Sequence, residues 1–386
     1  MSNIVILGST GSIGRSALEV VESLKGEFRV LGLSTNSDIR TLYSQIRRFN
    51  PEFAWVRDKK AAALLKSRVK GPTLVLSEEE ALDRMVRDPR VERVLLAISG
   101  SAALRPLLSS IEAGKTIALA NKEALVMAGP LIMRRARLKK AGIIPVDSEQ
   151  SAIWQCLRSQ EPASLERIYL TASGGPLREM SAAQIKKATL KRVLDHPRWR
   201  MGKKITVDSA TLMNKGLEML EAMYLFGVGP EKITVVIHPE AIIHSMVEFR
   251  DAVVMAQLSV TDMRIPIQYA LTYPKRLNCA FQRLDFLKLK SLNFARPDFL
   301  KFPCLGLAYR AAKEGGVSPC VLNAANEVCV EEFLRGGLDF VSIPGIIRGV
   351  LDRHKRTVSP GLSEILQADA WARGCARQII ERRTQR

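Results

Sequence analysis

Short apolar runs and stretches of helical period alternate through the first 147 residues. Runs at 4–7, 29–33, 53–56, 73–76, 94–98, 116–120 and 143–146 have the length of strands. Periodic sets such as Ile13, Ala17, Val20, Val21 and Leu24 lie between them. This alternation predicts a parallel sheet with helices on both faces, since each helical crossover returns the next strand to the same direction. Past residue 150 the pattern changes. Runs at 167–169, 234–237, 246–250 and 253–259 read as strands, the last two antiparallel about Asp251, in a mixed segment ending near Pro274. A less regular connector rich in Leu, Lys and Asn follows. From about Phe299 the chain is mainly helical, with breaks at Gly315-Gly316 and Gly336-Gly337. The expected fold class is α/β, with a doubly wound (Rossmann-like) parallel sheet over 1–147. A central α+β catalytic domain over 148–275, a connector over 276–298 and a helical C-terminal bundle over 299–386 complete it.

Composition narrows the function classes. The 386 residues are 47% hydrophobic and 25% charged, ordinary for a soluble globular protein. No apolar run approaches the ~20 residues of a membrane span, and residues 1–7 run straight into a strand, so the expected location is the cytoplasm without membrane attachment. Six scattered cysteines with no Cys-x-x-Cys spacing point to free thiols. The net charge of +19 invites a nucleic-acid partner, but aromatic residues are only 6% and do not interleave with the basic runs. A solvated basic surface that attracts anionic ligands is the preferred reading.

The candidate chemistry is distributed along the whole chain. Gly8-Ser9-Thr10-Gly11-Ser12-Ile13-Gly14 joins the first strand to a helix, the setting in which glycines let backbone N–H groups approach a pyrophosphate. The second strand ends in Asn36-Ser37-Asp38 with polar neutral residues first, which favours NADP over NAD; Arg40 suits either a 2′-phosphate or plain solvent. Lys122, within Asn121-Lys122-Glu123, follows another strand at the ligand-facing end of the sheet. Asp147 and Glu149, flanking Ser148, are expected to leave the strand 143–146 on one side, as oxygen ligands for Mg²⁺ or Mn²⁺. A solvated loop would present the same residues.

Farther on, Asn214 and Lys215 share a helical face with Glu218, on a helix expected over 209–226, opposite Leu212, Met219, Met223 and Phe226. Ser209 reads equally as its N-cap, and Glu218 as a surface acid paired with Lys215. Ser173-Gly174-Gly175-Pro176 offers small residues for close approach to a phosphate. Residues 174–202 suit a lid whose tip carries His196 and Trp199, with His196 contacting substrate in preference to metal; a plain surface helix and loop fits nearly as well. His238 and His244 read as structural or as support behind the site residues. From the residues alone the chain is a metal-assisted NAD(P) enzyme acting on a phosphorylated polyol or sugar.

Taken together, these segments resemble the 1-deoxy-D-xylulose 5-phosphate reductoisomerase family. The carrying motifs are the 8–14 glycine turn, Ala120-Asn121-Lys122-Glu123, Val146-Asp147-Ser148-Glu149, Ser173-Gly174-Gly175-Pro176 and His196-Pro197-Arg198-Trp199. Residues 207–218, 238–245 and Asn323-Ala324-Ala325-Asn326-Glu327 complete the set. The resemblance implies an NADPH-dependent isomerisation and reduction of 1-deoxy-D-xylulose 5-phosphate by a homodimer, with Mg²⁺, Mn²⁺ or Co²⁺ on Asp147, Glu149 and Glu218 as catalytic groups beside Lys122. It further implies that Ser148, Ser173, His196, Trp199, Ser209, Asn214 and Lys215 bind substrate. Thr10, Gly11, Ser12, Ile13, Asn36, Asn121, Glu123, Met201 and Gly202 would then meet the cofactor. Two departures stand out: Gln150 where the family usually has His, and Asn36-Ser37-Asp38 in place of a Gly-Lys-Asn seen in some members.

Overall fold

The computed structural model describes residues 1–199, 201–355 and 357–384. Among these, the first 157 residues alternate β1 (Ser2–Leu7), α1 (Ser12–Ser23), β2 (Phe28–Thr35), α2 (Ile39–Phe49), β3 (Phe53–Val56), α3 (Lys59–Arg68), β4 (Leu74–Leu76) and α4 (Glu79–Arg87). The alternation continues through β5 (Arg93–Leu96), α5 (Leu104–Glu112), β6 (Thr116–Leu119), α6 (Glu123–Leu138), β7 (Gly142–Pro145) and α7 (Ser148–Leu157). All seven strands stand where the apolar runs predict them. They form one parallel sheet in the order β4-β3-β2-β1-β5-β6-β7. Helices cover both faces, which is why Ile4, Val5, Ile6 and Leu7 are all fully buried instead of alternating. The strand order reverses between β1 and β5, the switch point where such sheets hold ligands.

The following residues form β8 (Leu165–Ala172), the short α8 (Ala182–Ile185) and α9 (Leu190–Val193), α10 (Lys203–Ala210), α11 (Met213–Phe226), β9 (Ile233–Ile237), β10 (Ile243–Phe249) and β11 (Val254–Leu258). The four strands make a mixed sheet in the order β11-β10-β8-β9. β10 and β11 are antiparallel about Asp251, as their pattern predicts. Next come α12 (Arg264–Thr272) and, after the connector, α13 (Pro303–Glu314), α14 (Ser318–Arg335), α15 (Ile343–Arg353) and α16 (Leu362–Thr384). The expected glycine breaks hold: Gly315 and Gly336 end α13 and α14 at positive φ, Gly336 in left-handed helical backbone.

Contacts divide the chain into two compact units. The first takes Met1–Ala124, Ile132–Ser151 and Asp262–Gln282; the second takes Leu125–Leu131, Ala152–Thr261 and Arg283–Arg386. Within the first unit α12 packs on α1, β6 and β7, and its Ile267, Ala270 and Leu271 join the core of Ile6, Leu33, Leu95 and Ile144. In the second unit α10, α11, α13 and α14 close over the mixed sheet around Met213, Leu217, Leu220, Leu305, Ala308 and Leu322. Helix α6 has residues in both units and departs from helical backbone at Ala128, two residues before Pro130, whose ring excludes a regular helix. Among the described residues, no helix is long and apolar enough to cross a membrane.

Candidate active site

In the first unit the turn after β1 is built around glycine. Gly8 has φ +82°, and a Cβ there would lie 2.6 Å from the carbonyl oxygen of Ala97, just past β5; a Cβ on Gly14 would press into Gly8 O and the Ser9 backbone. Two glycines thus let the turn pack directly against the chain just past β5 and let α1 start close against the turn. The turn is tied to the end of β2. Gly8 N–H donates to Ser34 Oγ (2.9 Å), and the hydroxyls of Thr10 and Thr35 are 2.7 Å apart. Gly11, Ser12 and Ile13 open α1, which no side chain caps among the described residues, so its first N–H groups face the turn. Asn36 is exposed just beyond β2. Asp38 caps α2 by accepting from Thr41 N–H (3.1 Å), so the acid at this strand end serves the helix. Arg57, passed over in the sequence, donates its backbone N–H to Thr35 O, putting an exposed guanidinium residue next to this turn.

At the same carboxyl edge of the sheet, Asn121 is locked just past β6. Its Nδ2 donates to Ile98 O, Gly100 O and Glu123 Oε2 at 2.9, 3.1 and 2.9 Å, and its Oδ1 accepts from Ala124 N–H at the start of α6. This fixes Lys122, which is buried and places Nζ 2.6 Å from Asp147 Oδ2. The carboxylates of Asp147 and Glu149 offer oxygens within 4.8 Å of one another, and Ser148 Oγ donates to Glu149 Oε2 (2.5 Å). The sequence expectation of an extended Asp-x-Glu is corrected here. β7 stops at Pro145 and α7 begins at Ser148, so Glu149 sits on the first helical turn. A strand–helix junction brings the two acids together instead of strand alternation. Gln150, in the next position, is fully buried.

The second unit gathers the remaining candidates around α10 and α11. These are two helices where the sequence suggested one over 209–226. Ser209 lies in the last turn of α10, so it does not cap the helix of Asn214. The break is at Leu212, whose φ of +58° no helix continues through, and Met213 N–H is taken by Thr211 Oγ1. Asn214 and Lys215 both bond Glu218, from Asn214 Nδ2 at 2.5 Å and from Lys215 Nζ. Lys215 is 3% and Glu218 1% exposed, because α11 is covered on both faces and has no solvent side there. A buried acid and ammonium are stable only paired. Gly175, at φ +73°, would drive a Cβ to 2.5 Å from Ser209 O. The Ser173-Gly174-Gly175 loop and Ser209 are therefore in backbone contact.

His196 completes this group. Its Nδ1 accepts from Arg198 and Trp199 N–H (3.2 and 2.9 Å), which leaves the proton on Nε2, 3.1 Å from Ser173 Oγ. Burial lowers its pKa to about 4, so the ring is neutral. The Trp199 and His244 rings are 6.3 Å apart. The segment expected as a lid is pinned to the core at Leu177, Ile185 and Val193, with Leu194 packed against it. Arg200 lies outside the described residues; Met201 and Gly202 lead into α10, where Gly202 O accepts from Thr206 N–H. His238 is structural, as expected: Nε2 accepts from Ile242 and Ile243 N–H and Nδ1 meets Asn293 O of the connector.

Three stretches match known family profiles. Residues 4–129 match one described as 1-deoxy-D-xylulose 5-phosphate reductoisomerase, 143–226 its C-terminal domain, and 258–375 a DXP reductoisomerase C-terminal domain. The 1-deoxy-D-xylulose 5-phosphate reductoisomerase of Pelotomaculum thermopropionicum is 48% identical over 98% of this chain and 99% of its own. That of Heliobacterium modesticaldum is also 48% identical, over 98% of each. A crystal structure of DOX-P reductoisomerase in complex with NADPH, fosmidomycin and magnesium superposes with a TM-score of 0.94 at 37% identity, covering both chains entirely. The Zymomonas mobilis enzyme in complex with NADPH gives 0.92 at 38% identity, over 98% of this chain and 99% of that one.

Proposed function

This chain belongs to the 1-deoxy-D-xylulose 5-phosphate reductoisomerase family, and from that premise we propose how its residues divide the work. It isomerises 1-deoxy-D-xylulose 5-phosphate and reduces the product to 2-C-methyl-D-erythritol 4-phosphate, using NADPH and a divalent cation, in non-mevalonate isoprenoid biosynthesis. The observation that carries this is identity of 48% along 98% of the chain.

The residues present fit both groups. The tight glycine turn at the switch point, followed by the start of α1 that no side chain caps among the described residues, suits a pyrophosphate. The donors at Asp147 and Glu149 are carboxylate oxygens, which suit Mg²⁺, Mn²⁺ or Co²⁺. When bound, the cation supplies Lewis-acid stabilisation of charge on the substrate's vicinal oxygens and NADPH supplies the hydride. Asp147, Glu149 and Glu218 are the proposed metal ligands. Lys122, held against Asp147, adds fixed positive charge beside the reacting oxygens, and Ser148 steadies Glu149 and the substrate. Ser173, Ser209, Asn214 and Lys215 hold the phosphate and fix one substrate orientation. His196 stays neutral and, through Nε2–H on Ser173 Oγ, orients that hydroxyl toward the same anion; Trp199 covers it and excludes water. Thr10, Gly11, Ser12 and Ile13 take the pyrophosphate and Asn36 the ribose end. Asn121, Glu123, Met201 and Gly202 place the nicotinamide. On this reading residues 1–147 hold the cofactor and lend Lys122 and Asp147 to the chemistry, 148–275 carry the rest of it and 299–386 give support.

The same proposal makes the enzyme a cytoplasmic homodimer. β11 is an edge strand of the described sheet that exposes Val254 and Met255, with Val253 exposed just before it, an apolar edge that a second copy would cover. The deciding experiment follows nicotinamide absorbance with 1-deoxy-D-xylulose 5-phosphate, with and without Mg²⁺ or Mn²⁺. Metal-dependent oxidation yielding 2-C-methyl-D-erythritol 4-phosphate is expected. Reduction of a supplied aldehyde without turnover of the ketose phosphate would instead mark a simple dehydrogenase.

A further inference from the structure

The Asn323-Ala324-Ala325-Asn326-Glu327 stretch has no part in the roles above, yet Asn323 and Asn326 are completely buried on α14. Asn326 Nδ2 donates to Asp208 Oδ1 at 2.8 Å. Lys204 Nζ reaches Asp208 Oδ2 at 2.9 Å from one turn earlier on α10. Asp208 is itself 1% exposed. An ionised carboxylate only accepts, so the amide must turn its NH2 toward it and the bond has a single polarity. A carboxylate this deep persists where charge-assisted bonds replace its water.

The place of this bond in the chain gives it meaning. Asp208 directly precedes Ser209, and α10 gives way to α11 at the left-handed Leu212. Ser209 therefore stands on one side of a corner, with Asn214 and Lys215 on the other. Left-handed backbone at leucine is intrinsically unfavourable, so the corner has to be held from outside. The pair α13 and α14 does this at two points. Gly216 admits Ala308 of α13, whose Cβ lies 2.5 Å from where a Cβ of residue 216 would be. Asn326 of α14 grips Asp208.

We propose that Asn326 is a positioning residue for the substrate phosphate. Through Asp208 it sets the angle of the α10–α11 corner, and so the spacing between Ser209 and the Asn214–Lys215 pair. This rests on the assignment of those three residues to the phosphate. Asn326 itself touches no substrate.

The test is steady-state kinetics on the full chain for Asn326→Ala, Asp208→Asn and the exchange Asp208→Asn/Asn326→Asp. The ketose phosphate and NADPH are varied separately, and thermal unfolding is recorded for each variant. Asn326→Ala should raise KM for 1-deoxy-D-xylulose 5-phosphate about tenfold, the effect of losing a hydrogen bond to a charged group, while kcat and KM for NADPH stay close to wild type. The exchange variant should regain much of the lost KM, because amide and carboxylate bond again with donor and acceptor reversed. If Asn326→Ala does not fold, Asn326→Ser enters the same comparison. A loss spread evenly over both substrates and kcat, in step with a lowered melting temperature, would make Asn326 merely structural. So would an exchange variant no better than the worse single one. An unchanged KM in every variant refutes the proposal alone; a wild type inactive on the ketose phosphate removes the phosphate assignment and this proposal with it.

Discussion

His196 commits both ring nitrogens within its own neighbourhood: Nδ1 to the backbone of Arg198 and Trp199, Nε2 to Ser173. Its pKa falls from 6.5 to about 4 because burial opposes the charged ring. The unfolded chain therefore binds the extra proton first as pH drops. The stability that follows is fully present above pH 6.5 and is lost as pH falls toward 4. Melting temperatures of wild type and His196→Asn should converge across that window; parallel curves would show that His196 does not carry the effect. For Glu218 the expectation concerns turnover. Glu218→Gln should lower kcat about 100-fold or more, the scale of a lost metal interaction, while NADPH fluorescence titration still reports binding. Unchanged turnover at saturating metal would remove it from the ligand set. The sequence showed that Asn214, Lys215 and Glu218 share a face. It could not show that the face is buried, because coverage comes from elements distant in the chain.

Elements were most legible where periodicity alone decides them. The seven parallel strands and the β10–β11 hairpin follow from apolar runs of the right length, bounded by glycine, proline and polar residues. The two junctions that matter most for chemistry were less legible. Nothing in residues 209–226 marks Leu212 as a helix break: it is a good helix former in an apolar stretch, and tertiary packing overrides its preference. Nor does the pattern show that α7 starts at Ser148. Glycine allows a sharper test at this scale. Gly8 and Gly26 both have positive φ, at +82° and +84°, but only Gly8 faces another strand's carbonyl; around Gly26 there is nothing within 4 Å. Gly26→Ala should cost about 1 kcal/mol from backbone strain alone. Gly8→Ala should cost more and also weaken NADPH about tenfold, since the turn must shift away from Ala97. Equal behaviour of the two in denaturation and cofactor titration would rule out a special role for the β1 turn.

At the level of the whole molecule, the mixed sheet ends in β11, whose outer face and free edge are apolar. Val254→Lys should shift the protein toward monomer in light scattering, because a charge at a paired edge opposes the pairing; an unchanged mass would place the dimer elsewhere. The net charge of +19 coexists with many exposed ion pairs, such as Arg105–Asp83 and Lys139–Glu112, which suits a solvated surface. The least legible feature is which segment belongs to which core. Residues 262–275 read as the end of the central domain and 276–282 as connector, but Ile267 and Leu271 pack into the core of the N-terminal sheet, and apolar pattern carries no address.

That return of α12 has a consequence for how the protein is made. The chain passes between its two units five times, after residues 124, 131, 151, 261 and 282. The N-terminal sheet is translated early, yet the surface of α1, β6 and β7 stays uncovered until α12 has left the ribosome, more than a hundred residues later. During that interval the nascent chain carries a completed row of parallel strands with one apolar side open, the kind of species that chaperones shield.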